Sequence, residues 1–340
     1  MKDPFSLSRT RSVDRGSVYR AYRNWPSLAE KGFQAEFELP DKPFSRAFVL
    51  GMGGSAAGGD IIAGWLGTAR GRELSVTKGS IPVGQMRGTL AIACSASGKT
   101  WETIEMMKTA SKGGATIVSI SSGGKLREES SRLGVEHIEM PEVVAPRYML
   151  PFIVLSCLAV LNRAFNLRCE EDAREAISRL GDTLRTVDVE TAEGRNPAKR
   201  LGRKLATKTP VVYGDEMARG VGIRFKNSMN ENAKRHASFD LMPELFHNEV
   251  EAWEDPAKDF LPIFLRHKWE NPILSKKADA LIGILRRRGN RPVEVRGEGR
   301  GSLSQLLTMT FLLDMASYYT AILLGRDPLS TRTIHRLKKI

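Results

Sequence analysis

The stretch Ser95-Ala-Ser97-Gly-Lys-Thr100 sets hydroxyls close together around a glycine, just before residues that read as a helix. At a strand-to-helix junction, three hydroxyls and the free N–H groups of the helix start match the oxygens of one terminal phosphate. The same residue types also make an ordinary Ser/Thr helix cap, and the local sequence leaves both readings open. Elsewhere, Val221, Phe225, Met229 and Ala233 form an i, i+4 apolar stripe on a helix beginning near Glu216. Glu231 follows Met229 by two residues, which puts its carboxylate about 200° around that helix, off the core face. A carboxylate so placed can move a proton, or simply pair with Lys234 or Arg235 on the surface. Arg147 follows Pro146 at a helix start, where a fixed cation would stabilise developing negative charge. His247 carries an imidazole, a side chain suited to proton movement.

Two other motifs fail on inspection. Gly51-Met-Gly53-Gly-Ser-Ala56 fits a relaxed dinucleotide-binding fingerprint, but the next candidate strand, Leu74-Ser-Val-Thr77, ends in Lys78. That position needs an acidic residue to hold a ribose. Gly98-Lys99-Thr100 resembles the end of a P-loop, yet the required first glycine is Ala93.

The elements that must position these groups alternate. Apolar runs at 46–50, 89–94, 115–119 and 137–140 predict strands, and the first three end in glycine or serine. Residues 15–31 read as one helix carrying Tyr19, Tyr22 and Trp25. A polar stretch at 170–200 reads as a helix plus connector. A second pattern follows, with strands at 209–213, 260–265 and 291–295 and helices at 272–288 and 302–324. Alternation of this length predicts an α/β fold built on parallel sheets, with ligands bound beyond the carboxyl ends of the strands. The two halves echo one another as a diverged duplication. Residues 1–35 are assigned to an N-terminal extension, 36–168 to a first domain, 169–200 to a helical connector, 201–325 to a second domain and 326–340 to a C-terminal tail.

With 340 residues, 41% hydrophobic and 27% charged, the chain is long and apolar enough for two cores. The 52 Lys and Arg against 39 Asp and Glu give +13, which suits an anionic partner. These cations are dispersed, without aromatic interleaving or zinc-finger spacing, so neither a nucleic-acid nor a membrane partner is expected. The run 305–324 is long enough for a bilayer, but Asp314 at its centre marks a buried helix. Cys94, Cys157 and Cys169 lie in or beside apolar runs without metal-like spacing and read as buried thiols. With no apolar signal core after Met1, a cytoplasmic location is expected.

The loop Ser-x-Ser-Gly-x-Thr followed by Glu102-Thr103, together with the upstream Gly-Met-Gly-Gly-Ser55, resembles the sugar isomerase (SIS) domain family. Ala145-Pro-Arg147, Asn230-Glu-Asn-Ala-Lys234, Pro243-Glu-Leu-Phe-His247-Asn248 and the tail from Pro328 to Lys338 narrow the resemblance to the bifunctional phosphoglucose/phosphomannose isomerases. It covers residues 40–340 and keeps the motif order. It implies two SIS-type domains, each a parallel sheet flanked by helices in an α-β-α sandwich. It further implies a homodimer, an active site between the domains completed by a histidine (here His247) of the partner subunit, and no cofactor or metal. Carried over by position, Ser95, Ser97 and Thr100 hold the phosphate of a sugar phosphate, with Gly54, Ser55 and Thr331 also binding substrate. Arg147 stabilises an enediolate, Glu231 moves the proton, and His247 and Lys338 assist ring opening. The chain departs from the family at Ala96 and Lys99, where tyrosine and asparagine are usual, which bears on substrate preference. A non-catalytic sugar-phosphate sensor would keep the hydroxyl loop but lack Glu231 and His247. An isomerase of another sugar phosphate is disfavoured by the Asn230–Lys234 motif.

Overall fold

The computed structural model describes residues 4–70, 72–80, 84, 86–142 and 144–337. The chain divides into two units, one of residues 24–178 and the other of residues up to 23 joined by those from 179 onward. Two short helices near the N-terminus, α1 (Leu7–Val13) and α2 (Val18–Arg23), therefore belong to the second unit.

The first unit begins with α3 (Trp25–Phe33) and continues β1 (Arg46–Gly51), α4 (Gly53–Arg70), β2 (Leu74–Thr77), β3 (Thr89–Cys94), α5 (Trp101–Lys112), β4 (Thr116–Ser121), α6 (Gly124–Leu133), β5 (Glu136–Glu139) and α7 (Leu150–Phe165). Its strands are all parallel, in the order β2-β1-β3-β4-β5. Every residue of β3, and all of β1 after Arg46, is buried. This burial follows from helices on both faces and explains why these strands read as unbroken apolar runs. On one face Phe48, Leu50, Ala91 and Ala93 meet Ile104, Met107 and Leu126 of α5 and α6. On the other, α4 packs on α7, and α7 in turn carries α3.

The second unit takes the later turns of α8 (Glu170–Val187), then α9 (Pro197–Leu205), β6 (Thr209–Gly214), α10 (Arg219–Ser228), a π-helical turn (Met229–Ala233), β7 (Ser238–Leu241), β8 (Phe260–Arg266), α11 (Pro272–Arg287), β9 (Val293–Arg296), α12 (Ser302–Leu323) and α13 (Arg332–Leu337). Its sheet is also parallel, ordered β7-β6-β8-β9. Helix α12 is buried along nearly its whole length, with α9, α10 and the π-turn around it. Two stretches, Pro146–Phe165 and Ser302–Leu323, are long and apolar enough to cross a membrane; 78% and 89% of their most apolar windows lie inside the fold.

The chain departs from the sequence boundaries in three places. The helix expected over 15–31 is broken at Asn24, and α3 restarts with Pro26 in its first turn, where a missing N–H costs nothing. Its two pieces serve different units, so residues 1–35 are not one extension: Phe5 and Tyr22 bury their rings beside Tyr319, Tyr318 and Phe311 of α12. The connector assigned to 169–200 contains α8 and the start of α9, and the division falls inside α8. Strand β7 was not anticipated, because a four-residue, half-exposed edge strand has no apolar run to announce it.

A bidentate pair fastens α2, with Arg23 Nε and Nη2 donating to Asp188 at 2.7 Å each. Burial pushes the Asp188 carboxyl up, and the Arg23 bonds outweigh it, leaving the group below its ordinary 3.8. A depressed carboxyl stabilises the fold above its unfolded value and loses that contribution as pH falls through the folded one. Asp188→Asn is expected to lower the melting temperature by an amount that is constant near neutrality and shrinks below pH 3.8. Because Arg23 is 36% exposed, the loss is on the order of 1 kcal/mol. Thermal melts of both proteins across that pH range test it.

Candidate active site

In the first sheet the chain leaves β1 toward β2 on one side and β3 on the other, so the topological switch point lies between the carboxyl ends of β1 and β3. Gly51 and Cys94 sit in register there. Helix α4 starts beyond β1 and α5 beyond β3, so both helix N-termini lie at this point. Gly54 and Ser55 lie in the first turn of α4, and Ser55 Oγ accepts the Ala96 N–H at 3.3 Å. Ser95 is buried and donates its hydroxyl to Thr100 Oγ1 at 2.9 Å. Ser97 Oγ is exposed and accepts the Lys99 N–H at 3.3 Å. Thr100 directly precedes α5, yet its hydroxyl makes no capping bond. The loop is thus not an ordinary helix cap: the Ser95 and Thr100 hydroxyls bond to each other, and Thr100 does not cap α5.

A second loop holds this one in shape. The Ala96 carbonyl accepts from Ser122 N–H at 3.2 Å and Ser122 Oγ at 2.7 Å, and the Gly98 carbonyl accepts from Leu126 N–H at 2.8 Å. Gly98 has φ +61°, and a Cβ there would stand 1.7 Å from the Gly123 carbonyl oxygen. Only glycine allows that approach. Lys99 is exposed on the same loop. Arg147, also of this unit, lies in a 3₁₀ turn (Pro146–Met149) leading into α7. It is 6% exposed, with its guanidinium 4.7 Å from the Tyr148 ring centroid.

Glu231, His247 and Thr331 belong to the second unit, and Lys338 lies outside the described residues. The predicted stripe is real, since Val221, Phe225, Met229 and Ala233 are all fully buried. The helix does not continue regularly, however: from Met229 it widens into the π-turn, a departure that recurs at functional sites. Glu231 stands in that turn, half-exposed between an exposed Asn230 and a buried Asn232. Behind it, Arg224 of α10 and Asp314 of α12 form an ion pair 1% and 0% exposed. Arg224 Nε reaches Asp314 Oδ1 at 3.1 Å, and Ser228 Oγ donates to the same oxygen at 2.6 Å. Burial pulls the Arg224 guanidinium down; the Asp314 carboxylate more than offsets this, and Glu231 adds to the upward pull. The tail that carries Thr331 is tied to the π-turn, because Lys234 Nζ donates to the Asp327 carbonyl and Arg326 Nη1 to the Ala233 carbonyl at 3.1 Å. His247 is exposed at the end of a 3₁₀ turn (Glu244–His247).

The switch point of the second sheet, between β6 and β8, carries no hydroxyl loop. Asp215 and His267 close it, with Asp215 Oδ1 2.9 Å from His267 Nε2. Trp269 N–H donates to Nδ1 at 3.2 Å, which leaves Nε2–H to donate to Asp215.

Residues 194–340 match the family described as bacterial phospho-glucose isomerase C-terminal SIS domain. The chain is 29% identical over 318 residues to the bifunctional phosphoglucose/phosphomannose isomerase of Aquifex aeolicus, spanning 91% of this chain and 96% of that one. It is 30% identical over 302 residues to the protein of the same name from Pyrobaculum calidifontis, spanning 89% and 90%. The chain belongs to the bifunctional phosphoglucose/phosphomannose isomerase family. A crystal structure of a glucose-6-phosphate isomerase like protein from Thermus thermophilus superposes with a TM-score of 0.65 at 20% identity, covering 100% of this chain and 99% of that one, and shares the two-sheet α/β fold of this isomerase family.

The ion pair beneath Glu231 and the Asp215–His267 closure escaped the sequence reading. Asp314 was conspicuous inside an apolar helix, and a buried carboxylate calls for a cation, but Arg224 lies 90 residues away. In the hydroxyl loop, Ser97→Ala is expected to weaken binding of inorganic phosphate about tenfold, the value of one hydrogen bond to a charged group. Gly98→Ala is expected to abolish that binding, because its Cβ must displace the second loop. Calorimetric titration of phosphate into the folded variants measures both.

Proposed function

We propose that the chain is an aldose–ketose isomerase interconverting glucose 6-phosphate, and mannose 6-phosphate, with fructose 6-phosphate. The observation that carries this reading is the 30% identity over 302 residues to a bifunctional isomerase of these phosphosugars, which extends through both units. The hydroxyl loop supports it, since a buried Ser95, an exposed Ser97 and Thr100 beside the N-terminus of α5 suit a phosphate monoester.

The reaction opens the pyranose and carries one proton between C2 and C1 through a cis-enediol. Glu231 takes the proton from C2 and returns it to C1, which a single carboxylate can do by small movements. Arg147 stabilises the negative oxygen of the enediolate and favours proton transfer over hydride transfer. His247 and Lys338 move protons between O1 and O5 during ring opening. Gly54, Ser55 and Thr331 complete the binding of the substrate. The exposure of His247 on its own unit fits its donation to a partner subunit in a homodimer. A cytoplasmic location, where such phosphosugars are found, goes with this reading. Ala96 offers no aromatic wall, and Lys99 adds a cation beside the phosphate, so the balance between glucose and mannose substrates rests on this loop.

A coupled assay with fructose 6-phosphate tests the proposal. Wild-type protein is expected to turn over, with solvent deuterium appearing at C2 of the glucose 6-phosphate formed. Glu231→Gln is expected to lose about a thousandfold in kcat with little change in KM. Wild-type protein that binds the sugar without turnover is a sensor, and a Glu231→Gln variant as fast as wild type removes the assigned base.

A further inference from the structure

Residues 4–23 reach the turn that carries Glu231. Tyr22, in α2, is fully buried, with its ring stacked on Phe311 at 6.3 Å and set edge-on to Tyr318 at 6.0 Å. Its hydroxyl accepts from Asn232 Nδ2 at 3.0 Å. Asn232 directly follows Glu231, is itself fully buried, and also donates from Nδ2 to Ser317 Oγ of α12 at 2.9 Å. One side-chain amide therefore pins the π-turn to α2 and to α12 at once.

Other contacts make this attachment stiff. Asp14 accepts from the Val18 and Tyr19 N–H groups at 2.8 and 3.0 Å and from the Tyr318 hydroxyl at 2.9 Å, and the Arg23–Asp188 pair holds the far end of α2. A Cβ on Gly16 would lie 2.4 Å from Leu329 Cδ2, so the segment also rests against the start of the tail, which the π-turn already holds through Lys234 and Arg326.

We infer that Tyr22 is a positioning residue for proton transfer: through Asn232 its hydroxyl fixes the π-turn, and so the direction of the Glu231 carboxylate. The inference rests on the reading of Glu231 as the proton carrier. A π-turn exchanges the regular i→i−4 bonds of its helix for wider i→i−5 ones, and the side-chain bonds of Asn232 add to these in holding its shape. A reacting carboxylate has to be held within about 0.5 Å, and a misplacement of about 1 Å costs on the order of a hundredfold in rate.

The test compares Tyr22→Phe, Tyr319→Phe and Glu231→Gln with wild type in fructose 6-phosphate turnover and in thermal melts. Tyr22→Phe keeps the stacked ring and removes the hydroxyl. Its kcat is expected to fall about tenfold while KM stays within about twofold. Tyr319→Phe loses a hydroxyl bond to the Val187 carbonyl, 2.7 Å long and in the same aromatic cluster, and is expected to keep wild-type kcat with a similar change in melting temperature. A wild-type kcat for Tyr22→Phe, or an equal loss in Tyr319→Phe, overturns the positioning role while an inactive Glu231→Gln leaves the base assignment standing. An active Glu231→Gln overturns both. Should Tyr22→Phe fail to fold, Asn232→Ser removes the bonds to Tyr22 and Ser317 together and is read against Ser317→Ala, which removes the Ser317 bond but not the Tyr22 one. A loss in kcat about tenfold beyond that of Ser317→Ala upholds the inference, and a loss no greater than that of Ser317→Ala overturns it.

Discussion

An ion pair sealed from water, Arg224 against Asp314, governs the second unit. Taking both charges out of water costs several kcal/mol each, and their attraction offsets this only when the geometry is good and the remaining lone pairs are satisfied. Here two nitrogens of one guanidinium and the Ser228 hydroxyl meet one carboxylate. The arrangement fixes more than it stabilises, because sliding α10 along α12 would strand a charge in the interior. Since α10 runs directly into the π-turn, the place of Glu231 relative to α12 follows from this pair. So does the cation behind it, which stays charged because Asp314 holds it so.

The two sheets show how one scaffold accepts different contents. Both are parallel, and both reverse strand order next to their first strand, β1 or β6. That topology gathers loops at one end, as any doubly wound sheet does. In the first sheet the place is kept open by glycine contacts and faced with hydroxyls; in the second, Asp215 and His267 bond to each other and fill it. Corresponding places in the two halves thus carry different side chains, hydroxyls in one and an Asp–His pair in the other.

What the sequence made legible follows burial. Strands β1, β3 and β8, covered on both faces, left apolar runs that located them to within a residue or two, and the hydroxyl loop was visible because its residue types and its place after a strand agreed. β7, at an edge, left no such trace. The π-turn was hidden for another reason: Met229 to Ala233 are composed like any helix, and a change of hydrogen-bond register alters no residue type. Tyr22 was noticed only as an aromatic on a helix, since a contact across 210 residues has no local signature. The family motif carried the roles given to Glu231, His247 and Arg147, for which the residues alone left a chemical and a purely structural reading side by side.

The split of the second unit across the chain governs the order in which it can be assembled on a ribosome. Its α1 and α2 are made before the first unit, and α12, against which Phe5 and Tyr22 bury their rings, is made after it. The first unit, contiguous from residue 24 to 178, can close while synthesis continues. Phe5, Val18 and Tyr22 must meanwhile wait without their partners through some three hundred residues of translation, about 15–60 s at ordinary rates. The segment can therefore be seated only after α12 has emerged, and the turn bearing Glu231 takes its final shape no earlier than that.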